Sequence, residues 1–344
     1  MRKMQAAQWY GPEDLRVEEV EIPKVGEGEV LVKIGAAMTC GTDFKFFRRG
    51  HALLVKNIPS SFGHEMSGTI VEVGAHVKGF NVNDRVVAAN SAPCGNCFFC
   101  KRQQENLCEN LEFLNGAYAE YIRVPAKIVE KNLYKIPPSV SFQEAACTEP
   151  LACALHCIEK VNLKPTETLC VIGAGPCGLL FVQLAKLAGA RVICLGRGRE
   201  KLEIAKKLGA DEVVSVLEED FKEKVKKLTD SYKGPDVVIE VTGQPPIWEF
   251  ATELVRKGGR VWFYGGCSKG TTVSLDTYRL HYEQLSLAGV FHHTPFHFAS
   301  SLALITEKKI DVSQLIVGEK KLAQLTEVFR KCDSKNPLKI AIIP

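Results

Sequence analysis

Four thiols stand within fifteen residues, as Cys94-x2-Cys97-x2-Cys100-x7-Cys108, in a segment poor in core-forming runs. Four thiolates close a tetrahedral shell around Zn²⁺, and short spacings let one loop supply them all. Such a shell has no open position, so it stabilises a loop and does no catalysis. Free thiols or an iron–sulfur cluster are the other readings of the same spacing. A second set is dispersed: Cys40-Gly41-Thr42-Asp43, Gly63-His64-Glu65 and Glu149-Pro150 each offer a zinc-compatible side chain from a loop or strand end. A catalytic zinc needs about three protein ligands and an open position, and Cys, His and carboxylate together fit that need. Singly, Cys40 reads as a buried thiol, His64 as a core histidine, and Glu65 and Glu149 as solvated or paired acids. Spacing alone does not bring them together.

A third stretch has the chemistry of anion binding. Thr168-Leu169-Cys170-Val171-Ile172 is a short strand-type run; Gly173, Gly175 and Gly178 follow in G-x-G-x-x-G spacing, with Pro176 and Cys177 between, and an apolar helical segment runs to Ala188. Glycines allow a tight turn, backbone approach to a pyrophosphate, and close helix-to-strand packing, while the helix N-terminus supplies N–H donors. Taken alone, any glycine-rich strand-to-helix connection fits the pattern. NAD enzymes of this fold place an acid about twenty residues past the turn. Here the second strand ends in Leu195-Gly196-Arg197-Gly198-Arg199, with no carboxylate. Gly196 leaves room for a 2′-phosphate, and the guanidinium forks of Arg197 and Arg199 suit phosphate. NADP(H) is therefore expected over NAD(H); the alternative is that both arginines belong to a solvated loop.

These residues need elements to hold them. At 344 residues the chain exceeds what one core usually supports, so two domains are expected. With 46% hydrophobic and 24% charged residues, its composition is that of a globular protein. A formal charge of +4 without basic–aromatic runs argues against a nucleic-acid partner. No leader-like N-terminus or membrane-length apolar run is present, so the expected compartment is the cytoplasm, with no membrane partner. Thirteen cysteines there are metal ligands or small hydrophobes, and Cys147, Cys153, Cys157, Cys170, Cys177, Cys194, Cys267 and Cys332 sit in apolar surroundings. Val30–Ile34, Gly68–Val73 and Arg85–Val87 read as short strands of a β-rich first domain. From about 165, strand-like and helix-like segments alternate, as in a parallel sheet covered on both sides. Thr242, Gly243 and Gly265 fall at strand ends, where such a sheet builds its ligand crevice. The apolar tail Leu338–Ile343 is expected to return to the first domain.

The run Gly63-His64-Glu65-x2-Gly68-x5-Gly74-x2-Val77 resembles the signature of the zinc-containing alcohol dehydrogenases, the medium-chain dehydrogenase/reductase family. Gly11-Pro12-Glu13-Asp14-Leu15, the Cys40 turn, the four-cysteine lobe and the glycine motif occur in the order that family has them. The resemblance spans nearly the whole chain. It implies an α/β architecture: a GroES-like β-rich catalytic domain over 1–152, with a zinc lobe at about 90–112; a Rossmann-type doubly wound parallel sheet over 153–290; and a return to the catalytic domain over 291–344. It implies two Zn²⁺ per chain, a catalytic one on Cys40, His64, Glu65 and Glu149, and a structural one on Cys94, Cys97, Cys100 and Cys108. Glutamate at 149, followed by Pro-Leu, is similar to the polyol and threonine dehydrogenase branch, which points to vicinal hydroxyls.

The chemistry so implied is Lewis-acid activation of an alcohol or carbonyl oxygen during hydride transfer with a nicotinamide. Thr42 matches the family's first proton acceptor. The relay histidine expected three residues later is replaced by Lys45, and His51 is a nearby substitute. Phe291 and His292 are implied to lie near the nicotinamide or the substrate. The leading expectation is a zinc-dependent NADP(H) oxidoreductase for a polyol, a sugar or a similar small-molecule secondary alcohol, assembled as a tetramer or dimer. The alternatives are an NAD-dependent threonine 3-dehydrogenase-like or simple alcohol dehydrogenase, and a non-catalytic nucleotide-binding protein on the same scaffold.

Overall fold

The computed structural model describes residues 2–50, 54–55, 57–331 and 338–344; His51 and Cys332 lie outside the described residues. The chain forms two compact units. One comprises Met1–Ala152, His293–Lys308 and Val312–Pro344, the other Cys153–His292 and Lys309–Asp311. Phe291 and His292 thus group with the second unit, and Lys309–Asp311 interrupt the stretch expected to return to the first. Among the described residues no helix is long and apolar enough to cross a membrane.

The first unit is built on a seven-stranded sheet. Its order is Leu133–Lys135, Arg85–Ala88, Met66–Val73, Val30–Met38, Lys339–Ile343 and Ile316–Lys321, with Tyr121–Val124 also paired to Val30–Met38. Strand Val30–Met38 is buried on both faces apart from Lys33 and Gly35, which is why it reads as a continuous apolar run. The C-terminal strand is antiparallel to it, with Ala341 opposite Met38. A second sheet joins Asp14–Glu21, Lys3–Gly11 and Ser60–Ser61.

Aromatic residues from distant parts of the chain fill the core of this unit. Phe46 lies 5.0 Å from Phe62, and Phe62 packs edge-on to Phe329 at 5.2 Å. Phe329 also contacts Phe47 and Tyr118. It comes from helix Leu325–Lys331, so the end of the chain closes the core around the helix that begins at Gly41. Such pairs contribute beyond the area they bury.

The second unit is a six-stranded, wholly parallel sheet. Its order is Glu212–Ser215, Arg191–Gly196, Thr168–Ile172, Val237–Glu240, Arg260–Phe263 and Ser286–Gly289. Numbered within this unit, that is 3-2-1-4-5-6, the doubly wound order of dinucleotide-binding folds. Helices Pro176–Leu187, Arg199–Lys207, Phe221–Lys227 and Pro245–Leu254 connect the strands. Phe221, Val225 and Leu228, spaced four and three residues apart, present one apolar side that packs in the sheet core.

Phe329→Ala is expected to destabilise the first unit by about 3–5 kcal/mol, read as a lowered urea midpoint. An unchanged midpoint would show that the C-terminal helix does not hold this core.

Candidate metal centres and nucleotide-binding turn

Strand Val30–Met38 delivers Cys40 to the N-cap of helix Gly41–Arg49, where its sulfur accepts from the Thr42 N–H at 3.5 Å. The reciprocal partner is Asp43, whose carboxylate accepts from the Cys40 N–H at 3.1 Å. Such a reciprocal cap fixes the start of a helix. Asp43 is fully buried, and its other oxygen lies 2.8 Å from His64 Nδ1. The Tyr118 hydroxyl donates to Asp43 at 2.6 Å and sits 3.0 Å from the Met38 carbonyl. With Nδ1 engaged by a carboxylate, the ring presents Nε2 as a ligand, the arrangement usual for metal-binding histidines. Gly63 is required beside it: its φ is +94°, and a Cβ there would come within 2.5 Å of the Tyr118 ring.

Ligand atoms of Cys40, His64 and Glu65 lie within 4.8 Å of one another. Glu65 is fully buried; Lys339 Nζ donates to its Oε2 and, at 3.1 Å, to the Thr39 carbonyl. Burial pushes the Glu65 carboxyl up to about 7, against the pull of Lys339, and the charge of Glu149 adds to the rise. Oε1 of Glu65 is buried with no hydrogen-bond partner. An orphaned carboxylate oxygen beside a thiol and an imidazole fits a zinc ion, which would satisfy all three.

Glu149 is held differently. Its Oε1 accepts from Asn90 Nδ2 at 2.9 Å, while Asn90 Oδ1 faces His293 Nε2 at 3.0 Å. Its carboxylate lies within 4.8 Å of a His293 ring nitrogen, and it does not join the close group of Cys40, His64 and Glu65. Thr42 and Lys45 are three apart on one helix, hence on one side of it, and both are half-buried.

In the four-cysteine lobe, all four sulfurs lie within 4.8 Å of one another, with Cys94–Cys100 at 4.0 Å and Cys97–Cys108 at 3.9 Å. A zinc–thiolate tetrahedron with bonds of about 2.3 Å has edges of roughly 3.8 Å, so these sulfurs fit a closed zinc shell. None is in a disulfide. Backbone N–H groups of Asn96 and Cys97 help hold the Cys94 thiol down at about 6, whereas burial pushes Cys100 up to about 12.

The glycine motif forms the turn between strand Thr168–Ile172 and helix Pro176–Leu187, with Gly175 as N-cap and Pro176 in the first turn. Gly173 has φ +123°, and a Cβ on Gly178 would fall 1.7 Å from the Gly173 carbonyl oxygen. Cys177 accepts from the Tyr264 hydroxyl at 3.5 Å. The second strand ends at Gly196, with Arg197 and Arg199 exposed beyond it. Gly196 has a packing role that sequence did not reveal: a Cβ there would meet the Ala174 Cβ at 2.6 Å. Arg199 pairs with Glu203 at 2.7 Å across one helical turn.

Thr242 and Gly243 spend their backbone N–H groups on the buried Glu240 carboxylate, at 2.6 and 3.1 Å. Gly243 and Gly265 pack backbone against backbone, with 2.3 Å from a would-be Gly265 Cβ to the Gly243 nitrogen. These residues thus shape the strand ends. Phe291 is exposed, and the His292 carbonyl accepts from His156 at 2.7 Å.

A doubly wound parallel sheet with a glycine turn, on the same chain as a β-rich unit carrying one Cys/His/Glu cluster and one four-cysteine cluster, defines a metal-dependent dinucleotide oxidoreductase. Residues 26–138 match the alcohol dehydrogenase GroES-like domain and residues 176–324 the zinc-binding dehydrogenase domain. The chain is 32% identical to a D-arabitol-phosphate dehydrogenase of Enterococcus avium over 96% of its length and 94% of the relative's. It is 30% identical to a sorbitol dehydrogenase of Bacillus subtilis, covering 100% and 98%. A zinc-binding dehydrogenase structure from Sinorhizobium meliloti 1021, solved with NADP bound, superposes with a TM-score of 0.91 at 30% identity, covering both chains fully. The chain belongs to the zinc-dependent alcohol dehydrogenase family of medium-chain dehydrogenases, in its polyol and threonine dehydrogenase-like branch.

If the two clusters hold separate ions, Cys40→Ser and Cys100→Ser have opposite signatures. Cys40→Ser is expected to abolish turnover with an unchanged unfolding temperature; Cys100→Ser is expected to lower that temperature. Full activity in Cys40→Ser would contradict the assignment.

Proposed function

We propose that the chain transfers hydride between NADP(H) and a small-molecule secondary alcohol or its ketone, of polyol or sugar type. The observation that carries this reading is the grouping of Cys40, His64 and the orphaned Glu65 oxygen, with His64 oriented by Asp43. These residues would hold the catalytic zinc, with Glu149 held beside that group by Asn90; Cys94, Cys97, Cys100 and Cys108 would hold a structural one. The metal, when bound, supplies Lewis acidity toward the substrate oxygen.

The chain's own residues do the rest. Asp43 fixes the tautomer of His64, so a neutral ring nitrogen is offered to the ion. Thr42 takes up the alcohol proton, and Lys45 stands where the family's relay histidine would receive it. Buried Glu65 and Lys339 form an ion pair, so Glu65 itself adds little net charge to the site. In the second unit, Gly173, Gly175 and Gly178, with Pro176 and Cys177, form the turn that receives the pyrophosphate at a helix N-terminus. Gly196, Arg197 and Arg199 receive the adenosine 2′-phosphate. Thr242, Gly243, Gly265, Phe291 and His292 border the ribose and nicotinamide.

The polyol reading rests on Glu149 and on relatives named for arabitol phosphate and sorbitol. A cytoplasmic homo-oligomer, a tetramer or dimer, is the form proposed for the enzyme. The NAD-dependent alternative has one observation in its favour: Arg199 already has a carboxylate partner in Glu203. The intact donor set weighs against a non-catalytic protein.

A hydrogen bond to a charged group is worth about 1.5–3 kcal/mol, so kcat/KM is expected to favour NADP⁺ over NAD⁺ by on the order of 10- to 100-fold. Arg197→Ala is expected to erode that ratio while leaving the NAD⁺ value in place. A clear preference for NAD⁺ in the unaltered protein would overturn the cofactor assignment.

A further inference from the structure

Asn90 is buried between two groups that the sequence gives no reason to connect. Its amide donates to Glu149 at 2.9 Å, and its carbonyl oxygen lies 3.0 Å from His293 Nε2. All three residues are buried. A carboxylate only accepts, so the amide nitrogen must face Glu149 and the amide oxygen must face His293, which in turn carries its hydrogen on Nε2. Each hydrogen bond therefore fixes the orientation of the next. Glu149, meanwhile, is near enough to Glu65 for its charge to act there, but stands outside the close group of Cys40, His64 and Glu65.

We propose that Asn90, locked in orientation by His293, is a positioning residue that holds the Glu149 carboxylate back from the catalytic metal, keeping one coordination position open for substrate. The idea rests on the reading that Cys40, His64 and Glu65 hold that metal. A catalytic zinc must keep a position open, and four protein donors in reach of one ion would close it. A carboxylate that accepts a hydrogen bond in a buried setting leaves it only at a cost, so Asn90 sets how readily Glu149 becomes a ligand. Partners beyond the ligands themselves typically change metal affinity 10- to 100-fold.

The test uses full-length protein in which the catalytic ion is exchanged for Co²⁺ while the lobe retains zinc. In Asn90→Ala, Glu149 is released and joins the ion. The cobalt d–d bands are then expected to weaken and shift toward higher coordination, and release of the ion to a chelator to slow about tenfold. Asn90→Ser, which keeps a polar group too short to reach Glu149, carries the same expectation should Asn90→Ala not fold. Both changes are expected to vanish in a Glu149→Gln background, because the two residues act through one contact. Unchanged bands and release rate, faster release, or changes that persist in Glu149→Gln would overturn the role of Asn90. A wild-type protein with no cobalt–thiolate absorption from Cys40 would instead overturn the metal reading, and the proposal with it.

Discussion

The first unit depends on a charge balance struck without water. Asp43, Glu65 and Glu149 are all buried, and an ionised carboxylate removed from water is tolerated only when paired or hydrogen-bonded. Each of the three has its own fixed donor. Asp43 receives the Tyr118 hydroxyl and the Cys40 N–H and faces His64, Glu65 takes the Lys339 ammonium, and Glu149 takes the Asn90 amide. Lys339 arrives from the last strand of the chain, whose neighbour Ile340 also accepts from the Thr39 N–H at 3.1 Å and donates to the Thr39 hydroxyl at 2.9 Å. The C-terminal strand thus anchors the turn that presents Cys40, and the Met38 N–H bond to the Glu65 carbonyl ties the two ligand segments together.

The second unit is governed by a different constraint, close approach of backbone. The Gly173–Gly178 contact leaves no room for a Cβ, nor does that of Gly243 with Gly265. At the strand end beside Gly265, the buried Glu240 carboxylate accepts from the N–H groups of Thr242 and Gly243 and so fixes that turn. The turn after Ile172 keeps its helix N-terminus without a side-chain cap, the condition in which such an end binds an anion.

Local spacing made the four-cysteine lobe and the glycine turn legible, because in each the chemistry and the connecting loop are the same short segment. The alternation of strand and helix after residue 165 was legible for the same reason, and the cap at Gly175 is what sets the start of the helix after the glycine turn at Pro176. Cys40 and the adjacent pair His64 and Glu65 come from two separate segments, and only the family resemblance joined them before the pairing of Val30–Met38 with Met66–Val73 did. Asp43 and Lys339 carried signals that went unread. An acid three residues past Cys40 is a capping-box position, and a lysine inside the apolar run Leu338–Ile343 must find a buried partner. Asn90 and Glu240 carried none, since their roles arise from contacts that no sequence pattern encodes.

On the proposed reading, two zinc ions occupy two separate donor sets of the first unit. Anomalous diffraction from crystals of the zinc-loaded protein, collected on either side of the zinc edge, tests it most directly. Two peaks per chain are predicted, one bounded by Cys40, His64 and Glu65 and one enclosed by Cys94, Cys97, Cys100 and Cys108. A peak in the lobe alone, with none at Cys40, would contradict the account.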